Sequence, residues 1–243
     1  MIELETPLRD RPRVLAMDTA TFGCSAAVRV GDTTVAARFE TMARGQSEAL
    51  VPMVESVMAA CGTEPVELDA IGVTIGPGAF TGLRIGLATA RGMALALSVP
   101  CLGVTTTEAV AEGALSSEAE GSLVVALDSK RDDLFIQCFG PGLAVLGSPE
   151  AIAPNALAER VSAISGSAGL TVIGDAAAAA AALLKSADVN CVVGRSDGIP
   201  KAATVAAIAA RRWRPGEMPP PPAPLYLRQP DAVVPKNGGR LRP

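Results

Sequence analysis

The segment that most constrains the fold runs from residue 75 to residue 97 and reads IGPGAFTGLRIGLATARGMALAL. It follows an apolar run, Ala70–Ile75, which predicts a buried strand, and then turns at a Gly-Pro-Gly sequence. From Thr81, a candidate N-cap, the composition predicts a helix as far as Leu97. A strand, a glycine turn and a long helix in this order indicate an α/β protein.

Glycines inside this predicted helix form a stripe of small residues. Each costs about 1 kcal/mol relative to alanine in a helix interior. At about 100° per residue the stripe comprises Gly82, Gly86, Ala90, Met93 and Leu97. Such a stripe indicates that another backbone approaches the helix closely, either from a partner or from the strand layer of the same chain.

The chain has no histidine among its 243 residues. This excludes zinc sites built on histidine, nucleophiles activated by histidine and histidine general bases. The five cysteines are far apart and form no CxxC pair, so neither a zinc knuckle nor a disulfide framework is expected. The acidic residues are scattered, and no carboxylate pair at an acid–base spacing can be singled out. The sequence therefore predicts no catalytic residue and no metal ligand.

The order of predicted elements repeats once along the chain. A strand that ends at Asp18 leads into a hairpin turned at Gly31-Asp32, and an amphipathic helix over Gln46–Cys61 follows. A second apolar strand, Leu123–Asp128, also ends in aspartate and leads into a hairpin. Further helices are predicted at 155–164, 176–187 and 202–213. Two such units predict a duplicated α/β fold with two lobes.

This layout resembles the ASKHA fold of actin, sugar kinases and heat-shock ATPases, whose turns hold nucleotide phosphates between the lobes. The residues predicted for such a cleft are Asp18, Thr19, Gly76, Gly78 and Asp128. The sequence has neither a GxGxxG motif after its first strand nor a Lys-Ser/Thr pair after the second glycine. The glycine turn therefore favours close packing, and the cleft would be degenerate.

The domain prediction places a first lobe at 1–115, a second at 116–214, and a Pro-rich linker with a basic segment at 215–243. Residues 201–243 hold eight Lys or Arg against two Asp or Glu, and seven of these cations are Arg211, Arg212, Arg214, Arg228, Lys236, Arg240 and Arg242. The pattern favours a solvated helix end and tail, and the alternative is contact with nucleic acid or an acidic partner. Leu225–Arg228 is predicted as an edge strand.

Five segments closely resemble the TsaB (YeaZ) family of the glycoprotease-like superfamily. They are GPGAFTGLRIGLATARG in the central stretch, MDTATFGCSAAV at 17–28, RGQSEALVP at 44–52, ALDSKRDDLF at 126–135 and PLYLR at 224–228. They occur in order over nearly the whole chain. The resemblance implies a two-lobed ASKHA fold, actin-like and ribonuclease H-like, and a cytoplasmic protein.

The resemblance also implies a function in tRNA modification. The family acts with a catalytic paralogue, TsaD, and an ATPase, TsaE. Together they transfer a threonylcarbamoyl group from threonylcarbamoyl-adenylate to N6 of adenosine 37 in tRNAs that read codons beginning with A. The resemblance implies that this chain is a non-catalytic subunit without a cofactor of its own, while the partner complex uses ATP and Mg²⁺. It implies a homodimer when the chain is alone, contact with tRNA through the complex, and no membrane.

One departure from the family concerns Gln46, which stands where many members carry histidine. A role linked to metal or pH at that position is therefore not expected here. The metal-holding histidine motif of the system belongs to TsaD, in agreement with the lack of histidine in this chain. A peptidase activity is not expected either, because these residues supply no hydrolytic constellation.

The two long first-lobe helices are predicted to form a partner surface. Its residues would be Leu50, Met53, Val54, Val57, Gly82, Gly86, Ala90 and Met93. The alternative is that both helices belong to the core of the monomer. Two other functions remain open: a nucleotide-binding phosphotransferase or ATPase that uses Asp18 or Asp128 with Mg²⁺, and an adaptor that binds tRNA through the basic C-terminus.

Overall fold

The computed structural model describes residues 11–114, 121–163 and 169–228. The first of two sheets contains β1 (Arg13–Asp18), β2 (Gly23–Val30), β3 (Thr33–Thr41), β4 (Ala70–Gly76) and β5 (Cys101–Thr105). Their spatial order is β3-β2-β1-β4-β5. The three N-terminal strands pair antiparallel, whereas β4 pairs parallel with both β1 and β5. Parallel neighbours need a crossover connection, and α1 (Gln46–Ala60) and α2 (Phe80–Leu97) supply it.

The second sheet repeats this arrangement. It contains β6 (Ser122–Asp128), β7 (Leu134–Gly140), β8 (Ala144–Val145), β9 (Glu150–Ile152), β10 (Leu170–Ile173) and β11 (Val192–Val193). The order is β11-β10-β6-β7-β8, and β9 also pairs with β7. Here too the first hairpin is antiparallel and the later strands are parallel. The repeated topology confirms the predicted two-lobed, duplicated α/β fold of the ASKHA type.

Four further α-helices of the two lobes lie in the described ranges. They are α3 (Thr106–Glu112), α4 (Leu157–Ser162), α5 (Ala177–Ser186) and α6 (Ala202–Arg212). Thr105 caps α3 by accepting from the backbone of Glu108, whose side chain accepts in return from the backbone of Thr105. The predicted helices at 46–61, 176–187 and 202–213 agree with α1, α5 and α6 to within a residue or two.

Successive side chains of a strand point to opposite faces of the sheet, and each face packs against different helices. On β1, Leu15 and Met17 face α1 and α2, whereas Ala16 faces Val205 and Ala206 of α6. In the second lobe, Val124 of β6 faces α4 and α5, and the neighbouring Leu123 faces α3. Helices α3 and α6 therefore lie between the two sheets, and the other helices form the two outer layers.

The predicted domain limits stay a prediction. The first limit, between residues 115 and 116, lies outside the described residues. Helix α6, which that division assigns to the second lobe, packs against the first sheet through Val205 and Ala206. In the described ranges, no helix combines the length and the apolar character that crossing a membrane requires.

Two local predictions are wrong. Helix α2 begins at Phe80 after Ala79, not after a cap at Thr81, because the Ala79 amide is anchored at 2.7 Å to the carbonyl oxygen of Ala20. Residues 225–228 form no strand. One backbone hydrogen bond of 2.7 Å, from the Leu225 amide to the Ile75 carbonyl oxygen, holds this segment beside β4.

Candidate functional site

The turn between β4 and α2 is filled by backbone of the same lobe. A Cβ at Gly78 would lie 2.3 Å from the carbonyl oxygen of Ala20, and one at Gly82 would lie 2.0 Å from that of Thr19. The Thr19 hydroxyl donates a hydrogen bond of 2.7 Å to the Gly82 carbonyl oxygen. The two glycines therefore leave room for the connection between β1 and β2 to pack against the turn. The close backbone approach expected from the small-residue stripe occurs within the chain.

The residues predicted for the partner surface lie inside the monomer. Seven of them are buried and Met93 is half-buried; the set is Leu50, Met53, Val54, Val57, Gly82, Gly86, Ala90 and Met93. The α1 members pack on the face of the first sheet that carries Leu15 and Met17. Periodicity identifies the apolar face of a helix but not what covers it, and here the sheet covers it. Partner contact at these positions stays a prediction, and only the opposite faces of the helices are open to a partner.

The outward faces of α1 and α2 also carry small and apolar residues. Leu95 of α2 is 83% exposed, and Val51 of α1 is exposed as well. Ala88 and Gly92 lie on the exposed side of α2, and a Cβ at Gly92 would meet no atom within 4 Å. Helix α2 thus carries small residues on its inward and on its outward side. Only those on the inward side pack against other described residues.

Asp18, at the end of β1, is fully buried. Its Oδ1 accepts hydrogen bonds from the Thr74 hydroxyl at 2.6 Å and from the Ala20 amide at 3.1 Å. Its Oδ2 has no hydrogen-bond partner in the part of the chain that the structure describes. Burial raises the pKa of this carboxyl to about 7, although both hydrogen bonds lower it. A buried carboxyl whose pKa is raised is a poor ligand for Mg²⁺, which binds ionised and accessible carboxylates.

Asp128, the corresponding residue of the second lobe, is exposed. It binds Lys130 through a side-chain contact of 2.6 Å and through the Lys130 amide, also at 2.6 Å, and these bonds lower the pKa of Asp128. Its own amide donates to Asp175 at 2.8 Å, and burial raises the pKa of Asp175. The duplicated aspartates therefore have opposite environments.

A cavity of about 630 Å³ lies between the lobes. Of the predicted cleft residues, Gly78 and Asp128 line it, whereas Asp18, Thr19 and Gly76 do not. The other lining residues include the start of α2, Lys130 and Asp175. Gln46 lines it too, and its side-chain amide donates to the Met42 carbonyl oxygen at 3.2 Å. The residues present do not fit a bound Mg²⁺–nucleotide well, because the first-lobe carboxyl does not reach the cavity.

Sequence reasoning missed the aromatic wall of this cavity. Phe22, Phe80 and Phe135 line it, and they are three of the chain's five phenylalanines. The Lys130 ammonium lies 4.6 Å from the Phe22 ring centroid, and the Arg84 guanidinium lies 3.7 Å from that of Phe80. Two features of the sequence could have identified these phenylalanines. Aromatic residues make up only 3% of the chain, and each of the three lies in a segment that resembles the family.

The described cations of the basic C-terminus all form hydrogen bonds or ion pairs within the chain; they are Arg211, Arg212, Arg214 and Arg228. Arg211 binds both carboxylate oxygens of Glu112 at 2.8 and 2.6 Å, and Arg212 binds Glu108 at 2.5 Å. Arg214 donates to two nearby carbonyl oxygens, and Arg228 binds Asp133. Lys236, Arg240 and Arg242 lie outside the described residues. These partners favour the interpretation of a solvated helix end over a nucleic-acid surface.

Comparison with known proteins finds similarity to proteins that are named for tRNA modification. A family model described as TsaD, tRNA N6-adenosine threonylcarbamoyltransferase, matches residues 39–190. The chain is 37% identical over 123 residues to the Escherichia coli tRNA threonylcarbamoyladenosine biosynthesis protein TsaB. The solved structure of YeaZ from Pseudomonas aeruginosa is similar with a TM-score of 0.75 and 25% identity, over 89% of this chain and 100% of that one. The chain belongs to the TsaB (YeaZ) family.

The coverage of these relatives differs. The match to the TsaB of Escherichia coli covers 51% of this chain and 53% of that protein, so the chain spans about half the length of this relative. An uncharacterized protein of Mycobacterium tuberculosis is 32% identical over 221 residues, 90% of this chain and 93% of that protein. A second Pseudomonas aeruginosa structure, described as similar to peptidase YEAZ, has a TM-score of 0.77 and 26% identity. The family and the fold extend across both lobes.

Proposed function

We propose that this chain is a non-catalytic subunit in the synthesis of N6-threonylcarbamoyladenosine at position 37 of tRNA. The TsaB relatives are named as biosynthesis proteins of this modification. The catalytic step belongs to a TsaD-like paralogue, and a TsaE-like ATPase completes the assembly in the cytoplasm. The observation that carries the proposal is the burial of Asp18, because the carboxyl predicted for the cleft does not line the cavity and has a raised pKa.

The absence of histidine supports this division of labour. With none in the sequence, general-base and metal chemistry that depends on an imidazole has no residue to carry it. The described residues contain no group of three Cys, Asp or Glu side chains placed to hold a metal ion. The chain would therefore contribute a surface to the assembly while the reacting groups are supplied by the paralogue.

The surface proposed for the paralogue is the outward side of α1 and α2. Val51, Ala88, Gly92 and Leu95 supply exposed small and apolar area there. Burial of apolar area stabilises association by about 25 cal/mol per Å² before the costs of association. A related fold in the partner allows the same surface to close a homodimer when the paralogue is absent.

Reconstitution of the modification tests the proposed function. Purified TsaD-like and TsaE-like proteins, tRNA and threonylcarbamoyl-adenylate are combined with and without this chain, and modified adenosine 37 is measured by nucleoside mass spectrometry. The proposal expects modification only when the chain is present. Equal modification in its absence would overturn it.

A nucleotide-dependent phosphotransferase is the second candidate. The observation that favours it is the cavity between the lobes, which the N-terminus of α2 and Lys130 both line. Calorimetry of the isolated chain with Mg²⁺–ATP decides between the two, since tight binding that depends on Mg²⁺ would support the phosphotransferase. The sealed Asp18 leads us to expect no such binding.

A further inference from the structure

The described C-terminal segment, residues 222–228, is bound to the first lobe at several points. The Leu225 amide donates to the Ile75 carbonyl oxygen at 2.7 Å. The Tyr226 ring stacks on Phe80 with centroids 5.3 Å apart, and its hydroxyl oxygen accepts from the Arg84 guanidinium at 3.0 Å. Backbone, ring and hydroxyl contacts therefore fix this end of the segment.

Two glycines of the first lobe are shaped to receive the segment. A Cβ at Gly76 would lie 2.8 Å from the Leu225 carbonyl oxygen, and the φ of Gly76 is +115°. A Cβ at Gly103 would lie 2.9 Å from the Cβ of Pro222. Since real Cβ atoms do not approach so closely, these positions accommodate the segment only as glycine.

The same segment reaches the second lobe through Arg228. Its Nε donates to Asp133 at 2.6 Å, a second guanidinium nitrogen also binds Asp133, and the Ser129 hydroxyl oxygen accepts at 3.4 Å. The guanidinium lies 5.9 Å from the centroid of the Phe135 ring. The Arg228 and Asp133 side chains are only 30% and 19% exposed, so solvent screens this ion pair less than a surface pair.

We propose that residues 222–228 are a C-terminal tie that holds the two lobes at a fixed opening of the cavity. Three residues that line the cavity touch the tie: Phe80 from the first lobe, and Ser129 and Phe135 from the second. Releasing either end lets the lobes separate and the cavity widen. The tie therefore sets how far the cavity opens, in addition to any role of the chain in an assembly.

Hydrogen exchange of the full chain tests the tie from both ends. Asp133→Asn removes the carboxylate in the second lobe, and we expect exchange to rise about tenfold at residues 77–82 in the first lobe, the effect of losing one charge-assisted hydrogen bond. Tyr226→Ala releases the first-lobe end, and we expect a similar rise at residues 129–135 in the second. Each readout lies in the lobe that the substitution does not touch.

Two matched controls complete the test. Arg214→Gln removes a nearby cation whose bonds are to local carbonyl oxygens only, and exchange at both sites should match the parent chain. The exchanged pair Asp133→Arg with Arg228→Asp should restore slow exchange at residues 77–82. If Asp133→Asn and Tyr226→Ala change exchange only in their own lobes while the chains stay folded, the segment is not a tie and the proposal fails.

Discussion

The Thr19 hydroxyl donates to the Gly82 carbonyl oxygen at 2.7 Å, and the Thr19 carbonyl oxygen occupies the space of a Cβ at position 82. This pair joins the end of β1 to the first turn of α2. It explains why a helix tolerates glycine at a buried position, because no other residue leaves room for the neighbouring backbone.

Gly82→Ala should destabilise the chain strongly, because its methyl group would lie 2.0 Å from the Thr19 carbonyl oxygen. Overpacking of this kind costs about 1–3 kcal/mol. Gly92→Ala is the matched control on the exposed side of the same helix, and it should stabilise by about 0.5–1 kcal/mol. Urea unfolding measures both. Equal effects of the two substitutions would contradict the packing described here.

Asp18 should make stability depend on pH. Its pKa is raised from 3.8 to about 7 in the folded chain, so the folded state keeps a proton that the unfolded state releases. The proton on Asp18 therefore stabilises the folded state fully below about pH 4, and this contribution is lost as the pH rises to about 7. The free energy of unfolding should fall by at most about 1.4 kcal/mol per pH unit in this range. Asp18→Asn should remove this slope, measured by urea unfolding between pH 4.5 and 7.

The exposed Asp32 provides the control for that measurement. Its side chain projects fully into solvent, and Asp32→Asn should keep the slope of the parent chain. A slope that is the same in the parent chain and in Asp18→Asn would mean that the buried carboxyl does not hold its proton near neutral pH.

Leu95→Glu should weaken self-association and binding to a TsaD-like partner. A buried leucine contributes about 1.5–3 kcal/mol, so the dissociation constant should rise at least about tenfold. Val66→Glu is the control, because Val66 is 85% exposed in the same lobe but lies outside α1 and α2. Sedimentation velocity and pull-down measure the two associations. Unchanged binding by Leu95→Glu would remove the outward face of α2 from the proposed surface.

Thiol labelling should divide the five cysteines into two groups. Cys24, Cys101 and Cys138 are buried, and burial raises the pKa of each to about 11. Because the thiolate is the reactive form, these three should resist a thiol reagent at pH 8 until the chain unfolds. Cys61 and Cys191 are half-buried and should react first. Mass spectrometry of labelled native protein identifies the sites, and early labelling of Cys24 would contradict the described core.

The sequence predicted the local elements well, but it did not identify what packs against each of them. Apolar positions at spacings of three and four located α1 to within one residue, and the glycine stripe correctly indicated a close backbone. Neither pattern identifies what lies opposite, so the sequence left two alternatives for these faces of α1 and α2, a partner surface and the core of the monomer. The exposed Leu95 lies on the opposite face of α2, where the sequence analysis named no partner residue.

Contacts between distant parts of the chain could not be predicted from one sequence. Arg228 and Asp133 are 95 residues apart, and nothing in either segment identifies the other as its partner. The pKa of Asp18 likewise depends on its burial and on a hydrogen bond from Thr74, 56 residues away, although its place at the end of a strand was evident. The three-residue β9 was missed because a strand so short has no detectable alternation.

The most direct measurement is the rate of adenosine 37 modification in the reconstituted assembly with Asp128→Asn and Asp18→Asn in place of the parent chain. A scaffold supplies no reacting carboxylate, so both variants, once shown to be folded and bound to the partner, should support modification at the parent rate. A general acid–base group contributes about 10²–10⁴-fold to a rate. A loss of that size in either variant would contradict the claim that this chain is non-catalytic.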